Sequence, residues 1–142
     1  MWSAATVLVC ALDLLGRSAQ SLPPIELIAS APPEATRRVE AFVRPQSNTI
    51  YLVTSSDVFR TAQRSRQRCG AREAMKKLAS IIVHEEWHVR NGPDEEGAYA
   101  AQLTELSRLG VSPGSALHYS VTRSMMAVRA NQARAAERLA RR

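Results

Sequence analysis

The sequence has few aromatic residues and only two cysteines. Phenylalanine, tryptophan and tyrosine together supply 5% of the 142 residues, so a core must be built mainly from leucine, isoleucine, valine and alanine. Cys10 and Cys69 do not form a Cys-x-x-Cys motif, which excludes a zinc site made from paired cysteines. They permit one disulfide or none. Because Cys10 lies in an apolar run, we predict that it is a buried thiol.

The sequence also lacks an apolar stretch long enough to span a bilayer. Residues 4–15 resemble the hydrophobic part of a signal peptide, but no lysine or arginine precedes them and Asp13 interrupts them. We therefore predict that residues 4–15 form a helix that covers the domain and ends at Gly16. On this basis a cytoplasmic protein is favoured, with secretion as the alternative.

Acidic residues are fewer than basic ones. The chain has 13 acidic residues and 19 lysines and arginines, which give a net charge of +6. The length predicts a single domain over residues 1–142. A basic balance permits binding to nucleic acid, but it is common in proteins that bind nothing acidic, so a nucleic-acid partner is not expected. We predict that the arginines near the end form a solvated helix face, with a basic docking surface as the alternative. These arginines are Arg123, Arg129, Arg134, Arg138, Arg141 and Arg142.

The first half of the chain contains strand patterns. Residues 25–28 are predicted to form a short strand, and residues 39–44 alternate with the period of two that is typical of a half-buried strand. Residues 50–54 are rich in β-formers and follow a turn-forming stretch, so the second and third strands should pair as an antiparallel hairpin. Ser55 or Ser56 is expected to cap a short helix through about Gln63.

The second half is predicted to be helical. Residues 72–90 form a helix whose centre is apolar on nearly every side, which is typical of a buried helix. Asn91-Gly92-Pro93 should end it, with the next helix starting near Pro93 and running to residue 109, and a last helix from about residue 115. The expected fold is α+β: a small antiparallel or mixed sheet packed on an active-site helix, with a helical C-terminal half.

The buried helix carries the motif His84-Glu85-Glu86-Trp87-His88. Residues four apart lie on one face of a helix, so His84 and His88 can both reach one zinc ion. Glu85 lies about 100° around the helix, where it can act as the general base toward a zinc-activated water. Two of the three histidines in the chain occupy this motif, and burying them without a partner would be unfavourable.

A catalytic zinc site usually has a third protein ligand. The candidates are Asp94, Glu95, Glu96 and His118. In a helix that starts near Pro93, Glu95 falls at the centre of the apolar stripe, whereas Glu96 falls at its edge and Asp94 points away. We therefore predict that Glu95 is the third ligand. Asp94 and Glu96 are explained as favourable charges at a helix N-terminus.

Together, the motif and Glu95 on the following helix resemble the zincin superfamily, and within it the gluzincin branch that includes thermolysin. The resemblance covers about residues 81–109, and the short gap between His88 and Glu95 is similar to that of minimal gluzincin domains. It implies a zincin-like metallopeptidase that uses one zinc ion and a glutamate base to hydrolyse a peptide or protein substrate. It also implies a strand that lies beside the active-site helix and pairs with an extended substrate.

Some positions depart from this family pattern. The positions of Glu86 and Arg90 are usually uncharged in zincin peptidases. The metzincin branch is an alternative, in which Asp94 would be the third ligand and a methionine of the last helix would supply the methionine turn. That branch has glycine at the position of Asn91, although asparagine tolerates the left-handed conformation.

Three other residues near the motif are given lesser roles. Tyr99 is predicted to be a core tyrosine, with donation to a substrate oxyanion as the alternative. His118 is expected on the surface or in a loop, with assistance to catalysis as the alternative, and Trp87 is expected to pack. Two other functions stay open: a zinc-binding zincin-like domain that acts as a binding module without peptidase activity, and a basic nucleic-acid-associated protein with a fortuitous motif.

Overall fold

The computed structural model describes residues 1–33 and 39–142 of the chain, and in them it has an α+β fold. The predicted fold class is confirmed. The α-helices are α1 (Ala4–Leu15), α2 (Asp57–Gln63), α3 (Arg72–Asn91), α4 (Glu95–Arg108) and α5 (Ala116–Ala140). The strands are β1 (Ile25–Ile28), β2 (Ala41–Val43) and β3 (Ile50–Val53), and a short 3₁₀ helix covers Ala19–Ser21.

The three strands form one mixed sheet in the order β1-β3-β2. β1 runs parallel to β3, and β2 pairs with β3 in the antiparallel sense, which confirms the predicted hairpin. β2 is shorter than the predicted strand over residues 39–44, and it lies at an edge of the sheet. Ile50 and Leu52 of β3 are fully buried, so the central strand anchors the sheet to the core.

Helix α1 begins and ends where the sequence predicts. The hydroxyl of Ser3 accepts a hydrogen bond from the backbone N–H of Thr6, and Gly16 takes a left-handed conformation with φ 65° that stops the helix. Its buried face packs against α3 and α2. The residues of that face are Val7, Cys10, Ala11 and Leu15.

Helix α3 is the central element, because it contacts α1 and α2 as well as β2, β3 and α4. Leu78, Ala79 and Ile82 are almost wholly shielded from solvent, which confirms the prediction of a buried helix. Gly92, at φ 95°, follows its last residue and turns the chain back toward α4. The motif therefore lies at the C-terminal end of a helix that is packed on several sides.

The prediction of a free thiol at Cys10 is wrong, since Cys10 forms a disulfide with Cys69. Cys10 is buried as expected, but its partner comes from the loop between α2 and α3, 59 residues further along the chain. Cys69 adopts a positive φ of 59°, an uncommon conformation for a residue with a side chain. An apolar neighbourhood indicates burial but not which loop will lie against it, so the sequence carried no local signal for the bond.

The predicted start of the fourth helix is also corrected, because α4 begins at Glu95 rather than near Pro93. The carboxylate of Asp94 accepts hydrogen bonds from the backbone N–H groups of Glu96 and Gly97. Asp94 is therefore the N-cap, and an N-cap lies outside the helix that it starts. Glu95 becomes the first residue of α4, opposite the end of α3.

The buried residues that the structure describes in helix α5 lie in its first two turns. Leu117 and Val121 are buried against Leu106 of α4, whereas most residues from position 129 onward are exposed. The six arginines predicted to form a solvated face are all exposed. None of the helices in the described part of the chain has both the length and the apolar character that a bilayer span requires.

Candidate metal centre

The three predicted ligands come together in the structure. The Nε2 atom of His84 lies 3.6 Å from a carboxylate oxygen of Glu95, and the Nε2 atom of His88 pairs with the other oxygen. The potential ligand atoms of His84, His88 and Glu95 all lie within 4.8 Å of one another. Two imidazole nitrogens and one carboxylate thus converge on a space that could hold a metal ion.

The path of the chain explains this convergence. His84 and His88 stand one turn apart on α3, with ring centroids 5.0 Å apart. The reversal at Gly92 then brings Glu95, in the first turn of α4, back across both rings. Trp87 packs on α4 at Gly97, where a Cβ atom would overlap the indole ring. The predicted packing role of Trp87 is confirmed, and the missing side chain at Gly97 lets α4 approach α3.

Each histidine is also held by its other ring nitrogen. Nδ1 of His84 lies 3.0 Å from Oε1 of Gln102, and Nδ1 of His88 lies 2.8 Å from the backbone carbonyl oxygen of Gly92. Both rings are therefore oriented with Nε2 toward Glu95. Hydrogen bonds of this kind hold the imidazole ligands in most metal sites.

The charges of the cluster are coupled. The neighbouring imidazoles of His84 and His88 lower the pKa of Glu95 from 4.5 to about 2, and the hydrogen bond to Glu95 raises the pKa of His88 from 6.5 to about 8. The metal-free protein therefore holds a carboxylate against a protonated imidazole near neutral pH. A divalent cation would take the place of that proton, so metal binding should release it.

Glu85 lies beside the cluster but is not part of it. It is 8% exposed and lines the same cleft as the three potential ligands. Burial raises the pKa of Glu85 above its usual value, against the opposing effect of His84 and His88. A carboxyl group with a raised pKa is suited to both accepting and returning a proton near neutral pH.

A cleft of about 1000 Å³ opens over this cluster. One wall is formed by residues 39–48, which include all of β2, and the other by α3, α4 and the start of α5. The backbone N–H of Val53 donates to the carbonyl oxygen of Glu40, so these two residues form a hydrogen-bonded pair of the antiparallel ladder. Hydrogen-bonded and non-hydrogen-bonded pairs alternate along such a ladder, so Phe42 and Tyr51 form the next hydrogen-bonded pair. The N–H and C=O groups of Ala41 and Val43 consequently point away from β3, along an edge of the sheet with which no other described strand pairs.

Comparisons of the chain with models of protein families, with curated proteins and with solved structures found no match. The chemistry of the site itself therefore has to carry the functional interpretation.

The other candidates for a third ligand have different partners. Asp94 caps α4, and Glu96 accepts a hydrogen bond from Arg129 at 2.7 Å. His118 lies 3.3 Å from the hydroxyl of Thr122 within α5 and is outside the set of described residues that line the cleft. The metzincin alternative needs Asp94 at the metal, whereas its carboxylate is engaged at the start of α4.

Tyr99 lines the cleft and contacts His84. Its ring lies edge-on to the imidazole, with 4.6 Å between the ring centroids and 71° between the ring planes. It is only half-buried, so the prediction of a core tyrosine is met in part. The contact limits the movement of the His84 ring.

Glu86 has partners that the sequence analysis did not find. Arg17 donates two hydrogen bonds to its carboxylate, each 2.5 Å long, and Arg90 donates two more at 3.1 and 3.0 Å. Burial raises the pKa of Glu86, but the hydrogen bonds from both arginines outweigh this and leave it below its usual value. The charged residues at positions 86 and 90, which depart from the zincin pattern, thus partner each other. The sequence carries a local signal for the pair of Glu86 and Arg90, because Arg90 follows Glu86 by four residues. It carries no such signal for Arg17, which lies 69 residues away.

Proposed function

We propose that the chain is a zinc-dependent metallopeptidase of the zincin type, in which His84, His88 and Glu95 bind one zinc ion and Glu85 is the general base. The observation that carries the proposal is the meeting of two Nε2 atoms and one carboxylate at a cleft that also contains a buried glutamate. Ferrous iron sites use a similar set of ligands. Zinc-assisted hydrolysis is supported by Glu85, a buried carboxyl group that lines the same cleft and can accept the proton of an activated water.

The proposed chemistry divides between the metal and the protein. Zinc, when bound, supplies Lewis-acid activation of water and of a carbonyl oxygen. Glu85 accepts a proton as the water oxygen bonds to the carbonyl carbon of the peptide. It then gives that proton to the amide nitrogen as the C–N bond breaks, which leaves a carboxylate and an amine.

The open edge of β2 supports a peptide as the substrate. Backbone groups of Ala41 and Val43 lie along the wall of the cleft and can pair with an extended chain, as in strand addition to a sheet edge. An extended peptide on this edge would pass over the three potential ligands. Its main-chain hydrogen bonds would give affinity without demanding particular side chains.

The disulfide supports a location for the enzyme. A bond between Cys10 and Cys69 persists best in an oxidising compartment, whereas cytosolic thiols are normally kept reduced. We therefore favour the secreted alternative over the cytoplasmic one.

The central experiment measures metal content and hydrolysis together. Protein purified without chelator should contain one zinc ion per chain and hydrolyse an unfolded protein such as casein. Chelation should stop hydrolysis and added zinc should restore it. His88→Ala should lose both properties, because it removes one of three protein ligands. His118→Ala is the matched control, since it removes the only histidine outside the motif and should retain both.

Two results would contradict the proposal in different ways. Zinc content below about a tenth of an equivalent in the unmodified protein would exclude a resident zinc centre. Stoichiometric zinc without hydrolysis of any extended peptide would leave the metal centre intact and point to a binding module instead.

A further inference from the structure

The ring of His84 is connected to a chain of buried polar groups that crosses between two helices. Oε1 of Gln102, on α4, lies 3.0 Å from Nδ1 of His84, and Nε2 of Gln102 donates to the hydroxyl oxygen of Ser80 at 3.2 Å. The hydroxyl of Ser80 donates in turn to the carbonyl oxygen of Lys77 at 2.7 Å. Ser80, Gln102 and His84 are 0%, 5% and 7% exposed, so water has little access to the chain.

The number of hydrogens on each group determines which group donates and which accepts along this series of hydrogen bonds. A serine hydroxyl has one hydrogen, and the hydroxyl of Ser80 uses it toward Lys77, so its oxygen can only accept from Gln102. The NH₂ group of Gln102 must therefore face Ser80, which turns its carbonyl oxygen toward His84. That oxygen can only accept, so Nδ1 of His84 must carry the proton.

The consequence lies at the other nitrogen of the ring. A neutral imidazole has one N–H, and if Nδ1 carries it, Nε2 presents a lone pair. Nε2 of His84 is the atom that faces Glu95. The opposite arrangement of the Gln102 amide would place the proton on Nε2 and remove that lone pair. It would also require the hydroxyl of Ser80 to give up its bond to Lys77.

We infer that Gln102 is a positioning residue which, together with Ser80, holds His84 in the Nδ1–H form and so keeps its Nε2 available to a metal ion. The inference rests on the proposed metal centre and adds a residue outside the zinc ligands to it. His88 is held in the same way by the backbone carbonyl of Gly92, which no side-chain substitution removes. Gln102 is therefore the point at which this support can be tested by mutation.

The experiment uses two variants of Gln102 and a control. Gln102→Met keeps the length and volume of the side chain but removes both hydrogen bonds, whereas Gln102→Glu keeps an oxygen that accepts from Nδ1. Gln132→Met makes the same chemical change on the exposed part of α5. Zinc affinity is measured by competition with a chromophoric chelator, and ¹⁵N NMR of the imidazoles reports the tautomer of His84 in the metal-free protein at alkaline pH.

We expect Gln102→Met to weaken zinc binding about tenfold to a hundredfold, as loss of a hydrogen bond to a metal-binding histidine typically does. His84 should shift toward the Nε2–H form in this variant. Gln102→Glu should restore most of the affinity and the Nδ1–H form. Ser80→Ala, a smaller change to the core, should weaken zinc binding less than Gln102→Met and in the same direction. The absorption spectrum of bound cobalt should change in Gln102→Met and not in Gln132→Met.

Equal zinc affinity in Gln102→Met and the unmodified protein would overturn the inference, as would an Nε2–H form of His84 in the unmodified protein. A Gln102→Glu variant no better than Gln102→Met would overturn it too, because a purely structural defect would not be rescued by an acceptor. Failure of the proposed function looks different: an unmodified protein that binds no zinc refutes the centre, whereas one that binds zinc without hydrolysis leaves every measurement on Gln102 valid.

Discussion

Glu85 and Glu86 are consecutive glutamates of α3, and 8% of each is exposed, yet they lie on two faces of the helix with opposite surroundings. Glu85 faces the cleft, where its titratable neighbours are two histidines and another carboxylate. Glu86 faces Ser21 and the end of α1, where two arginines bind its carboxylate. The pKa of Glu85 is raised, first because of its burial, and the pKa of Glu86 is lowered by the arginines, which outweigh its burial.

The difference shows that two carboxylates of equal burial can have pKa values shifted in opposite directions. Among the described residues no arginine or lysine pairs with Glu85, so its carboxylate can take up a proton. The carboxylate of Glu86 is committed to Arg17 and Arg90, and it fixes the last turns of α3 to the segment after α1. Under the proposed function, one face of the helix serves proton transfer and the other attaches α3 to the segment after α1. The following predictions test that division.

The largest effect is expected from Glu85→Gln. An amide cannot serve as a general base, so kcat for peptide hydrolysis should fall by a factor on the order of 10² to 10⁴. Zinc content should stay at one ion per chain, because the three potential ligands are untouched. Steady-state kinetics and metal analysis of the same preparation check the two halves of this prediction.

Glu86→Gln is the matched control for that experiment, since it makes the same chemical change one residue away. It should leave kcat nearly unchanged once the protein is folded and loaded with zinc. A loss of kcat as large in Glu86→Gln as in Glu85→Gln would show that the two faces do not have separate roles.

How far the sequence predicts this centre depends on the distance over which each signal acts. Ser56 and Gly16 determine helix ends through neighbouring backbone groups, and both were found from local patterns. His84 and His88 are related by the helical repeat, and Glu95 by the short turn that follows. These relations span a dozen residues at most, so spacing alone could suggest them.

The features that were missed depend on contacts between distant segments. Cys69 reaches Cys10 across 59 positions, and Arg17 reaches Glu86 across 69. The partners of Gln102, Ser80 and His84, lie on another helix and reach it only through the packing of α3 against α4. A helical pattern gives the direction of a side chain and not what it meets.

A smaller effect is expected from the same pair of variants on stability. Glu86→Gln leaves two arginines without their carboxylate, and the free energy of unfolding should fall by about 2 kcal/mol, between the values for exposed and buried ion pairs. The intermediate value follows from the side-chain exposures, which are 10% for Glu86, 34% for Arg17 and 54% for Arg90. Glu85→Gln should be neutral or stabilising, since it removes a buried carboxylate that has no arginine or lysine partner among the described residues. Urea unfolding of the metal-free proteins checks both signs, and a larger loss in Glu85→Gln would reverse the assignment.

The smallest effect concerns pH and separates the two faces in the metal-free protein. The pKa of His88 is raised to about 8, so its contribution to stability is complete below 6.5 and is lost as the pH rises through 8. The pKa of Glu95 is lowered to about 2, so its contribution is present above 4.5 and is lost only in strong acid. The bonds of Glu86 to arginine persist in alkali, because arginine stays protonated.

Raising the pH from below 6.5 to above 8 should therefore lower the urea midpoint through the cleft face alone. The drop is expected to be modest, since the side chain of Glu95 is 44% exposed. Glu95→Gln should flatten it and Glu86→Gln should not; an equal drop in all three proteins would assign the pH dependence to groups outside the metal centre.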